Sequence, residues 1–317
     1  MSTLGLAIGL DVGGTKINAF RVRRDGTVDD RRTVGTPADD PGATIEAMID
    51  VSRELVTPDV VAVGVGAAGL VESGTGTLRF AANLAWRDLA IAERIREGLG
   101  LPCRVDNDAN VAAWAEWRFG AGRGFRHMLL VAVGTGIGGG IVAGRRLFRG
   151  AHGFGGEIGH VIVEPNGPLC GCGNRGCWEQ VASGHAVGRL GREAAREHPE
   201  SLVATLAAGE PDGVTGRIVT RAALEGDAIA VEIFREVGRR LGEGFAGLIN
   251  VLDPQIVVVG GGAIAAGDLL LGPAREACTR GIEGVAYRPE VPIVPAELGN
   301  DAGAIGAATL AFEELGG

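Results

Sequence analysis

Apolar residues in this chain come in short runs, and many of the runs end in glycine or acidic residues. Leu4–Leu10 is apolar and leads into Asp11-Val-Gly13-Gly14-Thr15-Lys16, after which Ile17–Val22 alternates in the manner of a strand. Strand, glycine turn and strand predict a β-hairpin. Ala43–Val56 carries Ile45, Met48, Ile49 and Leu55 at helical spacing. Val60–Val65 reads as a buried strand, Leu70–Leu78 as turn-rich, and Leu89–Leu99 as an amphipathic helix. Leu101–Val105 is a short strand that stops at Asp106-Asn107-Asp108-Ala109-Asn110, and Val111–Phe119 is helical. Met128–Val133 then repeats the opening pattern. An apolar strand meets Gly134-Thr135-Gly136-Ile-Gly138-Gly139-Gly140, and Ile141–Ala143 follows as a strand. The two strand–turn–strand units lie about 120 residues apart. They predict a duplicated architecture of two related lobes, each turn facing a shared cleft. From Ser183 to about Asn250 the pattern is mostly helical, broken by a loop at 209–213, with Asp227–Leu252 as one long helix. A strand at Gln255–Val259 precedes Gly260-Gly261-Gly262, and after Val291–Leu298 a terminal helix occupies Ala302–Leu315.

Composition changes this picture in one respect. Glycine accounts for 55 of 317 residues, about a sixth of the chain, against a usual ~7%. The glycines cluster after apolar runs, which predicts backbone turns that approach ligands. The formal charge of −9 opposes general nucleic-acid binding, which needs clustered Lys and Arg. No apolar run reaches the ~20 residues of a membrane span, and the opening residues read as a first strand instead of a signal peptide. Five cysteines, three of them in one cluster, fit a reducing cytoplasm better than a disulfide framework.

Four groups of residues bear chemistry. In Asp11–Lys16, glycines let backbone N–H groups approach phosphate oxygens, Thr15 adds a hydroxyl, Lys16 offsets charge and Asp11 can hold magnesium through water. A tight hairpin with a surface lysine is the plainer reading; the second turn, with Thr135, favours a phosphate clamp. The Asp106–Asn110 run sits at a strand end before a helix, where Asp and Asn serve as N-caps. Capping needs one such residue, and a carboxylate beside amides suits a sugar hydroxyl, with Asp108 as base. Third, Glu157, His160, Cys170, Cys172, Cys177 and Glu179 fall within 23 residues. The histidine and three cysteines are a donor set for tetrahedral zinc, although small buried thiols would also explain the cysteines. Cys103 and Cys278 stand alone and read as buried thiols. Lastly, Trp86 and Trp178 lie near these motifs as packing residues or cleft-lining groups. Two matches to G-x-G-x-x-G, at Gly64–Gly69 and Gly134–Gly139, lack the following helix that a dinucleotide fold requires.

Taken in order, Asp11–Lys16, Ala82-Asn83-Leu-Ala-Trp86, Asp106–Asn110, Gly134–Gly140, Glu157-Ile-Gly-His160, Cys170-Gly-Cys-Gly-Asn-Arg-Gly-Cys-Trp-Glu179 and Gly260–Gly262 resemble the ROK family of bacterial sugar kinases. Within it they are most similar to actinobacterial ATP-dependent glucokinases. The resemblance spans nearly the whole chain. It implies an α/β, two-lobed actin-like (ribonuclease-H-like) fold with a cleft between lobes. The small lobe would be 1–112 plus 302–317, and the large lobe 113–301 with the zinc loop. It also implies a glucose 6-phosphotransferase with Asp108 as catalytic base and Asn83, Asn107, Asp108, Glu157, His160 and Glu179 on the sugar. The phosphates of ATP would meet Asp11, Gly13, Gly14, Thr15, Lys16, Thr135 and Gly136, and adenosine would lie toward Ser183, Gly184, Gly261 and Gly262. Magnesium would accompany ATP, and a structural zinc would be held by His160, Cys170, Cys172 and Cys177. A cytoplasmic homo-oligomer, dimer or tetramer, is expected. Gly66-Ala-Ala-Gly69 departs from the family, where a proline often precedes the glycine. Other family activities compete with this reading. They include kinases of fructose, mannose, N-acetylmannosamine, N-acetylglucosamine or allose, polyphosphate as donor, and a sugar-responsive repressor.

Overall fold

The computed structural model describes residues 5–81 and 86–315; Asn83 lies outside them. The opening hairpin forms where the apolar pattern places it, from β1 (Leu6–Val12) and β2 (Lys16–Arg23), in the register Asp11↔Asn18 and Val12↔Ile17. β3 (Val28–Gly35) extends it as an edge strand. Its polar sequence hides it from apolar patterning, because one margin faces water and Arg–Asp pairs such as Arg21–Asp29 (2.7 Å) lace it to β2. Helix α1 (Pro41–Arg53) is capped by Asp40, which accepts from the Ala43 N–H. β4 (Val60–Ala67) and β8 (Cys103–Asn107) complete the sheet in the order β3-β2-β1-β4-β8, with β1, β4 and β8 parallel.

Between β4 and β8 the turn-rich stretch forms a small antiparallel sheet: β5 (Leu70–Glu72), β6 (Thr77–Phe80) and β7 (Arg87–Leu89). Strands of three or four residues are too short to show a period. Helix α2 (Ile91–Leu99) follows. It joins α1 on one face of the main sheet, over a core that includes Ile8, Leu10, Ile45, Met48, Val63 and Ile95. Trp86 is fully buried in that core with its indole N–H on the Ala38 carbonyl (3.2 Å), so it is a packing residue and not a cleft-lining one.

On the opposite face lie α3 (Asp108–Phe119) and the terminal helix α10 (Ala302–Glu314), over Ala7, Phe20, Val22, Ala304 and Ala308. Here glycine permits a close approach of backbones. A Cβ on Gly9 would stand 1.9 Å from the Ala304 carbonyl oxygen, one on Gly64 1.8 Å from that of Ala307, and one on Gly306 1.8 Å from that of Val111. These glycines therefore serve close packing, Gly9 and Gly64 of α10 on the sheet and Gly306 of α10 on α3. Gly306→Ala is expected to destabilise the protein by at least the ~1–3 kcal/mol typical of overpacking. A urea midpoint equal to that of the parent would overturn this.

The second half builds on β9 (Met128–Val133) and β10 (Ile137–Ala143), joined by the second glycine turn. With β11 (Arg146–Leu147), β12 (Ile256–Gly260) and β13 (Ile293–Pro295) they form a sheet of order β11-β10-β9-β12-β13. Helices α4 (Trp178–Ala182), α5 (Gly184–Glu197), α6 (Leu202–Leu206), α7 (Gly216–Leu224), α8 (Ala228–Leu252) and α9 (Asp268–Gly281) accompany it. Trp178 is buried edge-on against Phe245, its N–H on the Arg240 carbonyl (3.0 Å), and is likewise a core residue. Cys103 and Cys278 are buried thiols, as expected.

Packing divides the chain into two compact units. The first takes the residues up to Leu130, Gly139–Gly156 and those from Ala296 on; the second takes Val131–Gly138 and Glu157–Pro295. Among the described residues no helix is long and apolar enough to cross a membrane.

Candidate functional site

The first unit concentrates its polar groups where the parallel strands end. Thr33, Asn18, Asp11, Gly66 and Asp106 lie opposite one another, in that order, across β3, β2, β1, β4 and β8. The Thr33 hydroxyl donates to Asn18 Oδ1 (3.1 Å), and Asn18 Nδ2 approaches Asp11 Oδ2 at 3.5 Å. The start of α10 lies against the Asp11 carboxylate: a Cβ on Gly303 would be 2.7 Å from its Cγ. Burial, helped by the charge of Asp108, holds the Asp11 carboxyl up at about 6, while Asn18 and Lys16 pull the other way.

Beyond Asp11, the turn from Gly13 to Lys16 is closed by the Gly13 N–H on the Lys16 carbonyl (3.1 Å). Thr36 braces it from behind, its hydroxyl on the Gly13 carbonyl (2.7 Å) and its N–H on that of Thr15 (3.1 Å). Gly14, Thr15 and Lys16 are left exposed.

The Asp106–Asn110 run divides its work. Asn107 is the N-cap of α3, its Oδ1 accepting from the N–H groups of Ala109 (2.8 Å) and Asn110 (3.2 Å). Its Nδ2 donates to the Gly69 carbonyl (3.1 Å), in the stretch that departs from the family pattern. The capping reading thus holds for Asn107, and α3 starts at Asp108, three residues earlier than the apolar pattern suggests. Asp106 is buried; it receives Asn110 Nδ2 (2.9 Å), the Asn107 N–H (2.9 Å) and the Arg149 guanidinium (2.6 Å). Half-buried Asp108 accepts from the Ala109 N–H (2.9 Å), and among the described residues no ion pair reaches it. Burial raises its carboxyl above the usual range.

In the second unit, the His160 ring and the thiols of Cys170, Cys172 and Cys177 bring their ligand atoms within 4.8 Å of one another. Cys172 and Cys177 sulfurs are 3.6 Å apart, and Cys170 Sγ is 3.6 Å from His160 Nδ1. That is too long for a disulfide and close to the ~3.8 Å edge of a tetrahedron with ~2.3 Å Zn–S bonds. Burial pushes the Cys170 thiol up, so a thiolate there calls for a compensating cation. Donor chemistry, spacing and burial all fit zinc. The loop's own backbone supports the set: Ile162 pairs with Cys177 and Leu169 with Arg175. Gly176 sits at φ +71° with its Cα against Glu164, where a Cβ would be 1.7 Å from a carbonyl oxygen.

His160 turns its other nitrogen, Nε2, toward Glu157 Oε2 at 3.9 Å. Glu179, on the first turn of α4, has Oε1 at 3.0 Å from Cys170 Sγ, and its Oε2 accepts from the Ile137 N–H (3.4 Å). It therefore joins the thiol set to the second glycine turn, where a Cβ on Gly136 would stand 2.3 Å from its Oε2.

That turn also borders a pocket of about 670 Å³. Gly134, Thr135, Gly184, His185 and Gly262 line it, with Arg192 of α5, Thr215 at the N-cap of α7, and Arg217 and Thr220 of α7. The N–H groups of Gly184 and His185 donate to the carbonyls of Gly134 and Thr135 (2.9 and 3.1 Å). Ser183 is buried as the α5 cap, and Gly261 (φ +86°) packs on Val133; neither is among the lining residues. Arg149, Thr36 and the α7 residues of the pocket are absent from the sequence reading, because no local motif marks them.

A model of the ROK family matches residues 7–314. The chain belongs to the ROK family. Glucokinase of Streptomyces coelicolor is 44% identical over 313 residues, 98% of each chain. N-acetylmannosamine kinase of Yersinia pseudotuberculosis is 35% identical over 317 residues, 98% of this chain and 100% of that one. A ROK family glucokinase from Streptomyces griseus, crystallised with glucose and AMPPNP, has a TM-score of 0.89 at 42% identity, covering 98% of this chain and 100% of that chain. The fold is accordingly the actin-like α/β fold of ROK sugar kinases.

Proposed function

We propose that this ROK protein is an ATP-dependent glucokinase in which Asp108 accepts the proton of the glucose 6-hydroxyl as that oxygen attacks the γ-phosphorus of ATP and ADP leaves with the bridging oxygen. The observation that carries the activity is the 44% identity to a glucokinase over 98% of both chains. The geometry of the Asp108 turn supports the role. Asn107 takes the capping duty, which leaves the Asp108 carboxylate free of ion pairs among the described residues. A base must be unpaired to be basic, and burial strengthens it further.

The remaining assignments follow the same chemistry. The turns at Gly13–Lys16 and Thr135–Gly136 offer N–H and hydroxyl donors to phosphate oxygens, and Lys16 adds a positive charge. Adenosine takes the pocket bordered by Gly184 and Gly262. Asp11 would hold the magnesium that comes with ATP, which when bound offsets phosphate charge. On the sugar, Glu157 and Glu179 accept from hydroxyls, and His160, held through Nδ1 by the metal loop, donates from Nε2. Asn107 retains one amide hydrogen for the same purpose. A coupled assay crossing glucose, mannose, fructose and N-acetylmannosamine with ATP and polyphosphate tests the reading. Glucose with ATP should give the highest kcat/KM, and a preference for N-acetylmannosamine would replace it with the activity of the Yersinia relative.

Asp11 gives a test on pH. Its raised carboxyl means that the folded chain binds this proton more tightly than the unfolded chain. The stability it contributes is full below the ordinary 3.8 and is lost as pH rises through about 6. Activity requires the opposite, ionised form. Asp11→Asn is therefore expected to raise the thermal midpoint at pH 8, to lose that advantage below about pH 4, and to lower kcat/KM for MgATP. A variant with lower midpoints at both pH values and unaltered kinetics would remove Asp11 from the site.

A further inference from the structure

Asp106 and Asp108 are two carboxylates on one turn, and the structure treats them differently. Asp106 is nearly sealed, with its side chain 5% exposed, and both its oxygens are engaged. Oδ2 meets Arg149 Nε at 2.6 Å; Oδ1 takes the Asn107 N–H and Asn110 Nδ2, both at 2.9 Å. Those two donors flank Asp108 in the chain. Arg149 stands in a loop closed independently of its guanidinium, by the Gly155 N–H on the Arg149 carbonyl (2.8 Å) and the Ser73 N–H on that of His152 (3.1 Å).

The geometry points to Arg149 as a positioning residue for Asp108, acting through Asp106. Asp106 locks the backbone before Asp108 and the amide side chain after it, and Arg149 provides the charge that lets a carboxylate stay buried there. A buried carboxylate stripped of its partner is strongly unfavourable and would move toward water, taking the Asn107–Asn110 turn with it. The arrangement also keeps the cation off Asp108. An arginine paired directly with a general base would weaken it as a proton acceptor; pairing one residue pair upstream supplies rigidity without that loss. The inference rests on the reading of Asp108 as the base. It predicts an effect on kcat larger than on glucose binding, because proton transfer depends on the placement of Asp108 alone, whereas the sugar keeps the contacts proposed for Glu157, His160 and Glu179.

The test is Arg149→Gln, Arg149→Lys, Asp106→Asn and the Asp106→Asn/Arg149→Gln double variant, with Asp108→Asn alongside. Displacing a reacting group by about 1 Å can cost ~10²-fold. Arg149→Gln should accordingly lower kcat by roughly 10- to 100-fold, with the glucose KM changing by about threefold or less. Arg149→Lys should recover part of the loss, since it keeps charge but not the planar fork. The double variant should be no worse than Arg149→Gln alone, as expected of residues acting as one unit. Wild-type kcat in Arg149→Gln would overturn the inference. So would losses in the single variants that add in the double variant, or a glucose KM that rises as much as kcat falls. If Arg149→Gln does not fold, Arg149→Lys decides: intermediate kcat with unchanged KM supports the inference, and parent-like kcat overturns it. Loss of activity in Asp108→Asn alone leaves the base in place while refuting Arg149. Full activity in Asp108→Asn removes the base itself, whatever Arg149 does.

Discussion

Asp108→Asn is expected to lower kcat by roughly 10²–10⁴-fold, the usual contribution of a general base, while glucose still binds. Asparagine keeps the shape of the side chain and an oxygen to accept the Ala109 N–H, which lies 2.9 Å from the carboxylate in the parent. What it cannot do is accept a proton from an alcohol. It also removes a charge that burial disfavours, so the folded protein should be at least as stable as the parent at neutral pH. Three measurements together are decisive: kcat from a coupled assay, glucose affinity by calorimetry, and a thermal midpoint. Low kcat with retained affinity and an equal or higher midpoint supports the role. Parent-like kcat would assign the proton to another group. A midpoint lowered along with affinity would make Asp108 a structural residue of the α3 N-terminus.

Cys172→Ser should have the second largest effect, through the metal loop. A closed tetrahedral site depends on all four donors, and hydroxyl is a poor substitute for thiolate. Loss of an outer-shell partner alone typically costs 10–100-fold in metal affinity, so loss of a ligand should cost at least as much. His160 Nδ1 points into the thiol set and Nε2 toward Glu157, and Glu179 Oε1 lies 3.0 Å from Cys170 Sγ. Without the metal these three side chains lose their common anchor. The glucose KM is expected to rise about 10- to 100-fold, as misplacement of a binding group by about 1 Å allows, with a smaller change in the KM for ATP. Cys278→Ser, at a buried lone thiol, should leave zinc content unchanged. Metal analysis that finds no zinc in active parent protein would refute the assignment, as would a Cys172 variant with full zinc and unaltered KM.

What could be read from the chain differs by the distance over which each feature is built. The donor set spans His160 to Cys177, and both glycine turns are contiguous. Their chemistry is visible because residue type and spacing are local. The opening hairpin, α1, β4, the repeated strand–turn unit and α10 are legible for the same reason: each is a contiguous stretch whose apolar content marks its burial, continuous in β1, β4 and β9 and at helical spacing in α1. β3 escapes because its polar edge residues carry no apolar alternation, and β5 to β7 because they are too short to carry one. The division of labour at 106–108 is not legible either. Three polar residues in a row are equivalent on paper; which one caps, which one is sealed and which one stays unpaired depends on where α3 begins.

By itself, then, the amino-acid order determined the family motifs, the His/Cys donor set, the two glycine turns and the alternation of strands and helices. All of these are set by contacts among neighbours in the chain. Only the tertiary structure decided that Gly9, Gly64 and Gly306 are contact points between α10, α3 and the sheet, since the atoms they avoid come from residues far along the chain. Only it paired Arg149 with Asp106, across 43 residues, and anchored the fully buried Glu116 of α3 by the N–H groups of Glu297 and Leu298, more than 180 residues away. Such partners leave no periodic trace. They are chosen by how buried charge and bare backbone are satisfied once the sheet and its helices have packed.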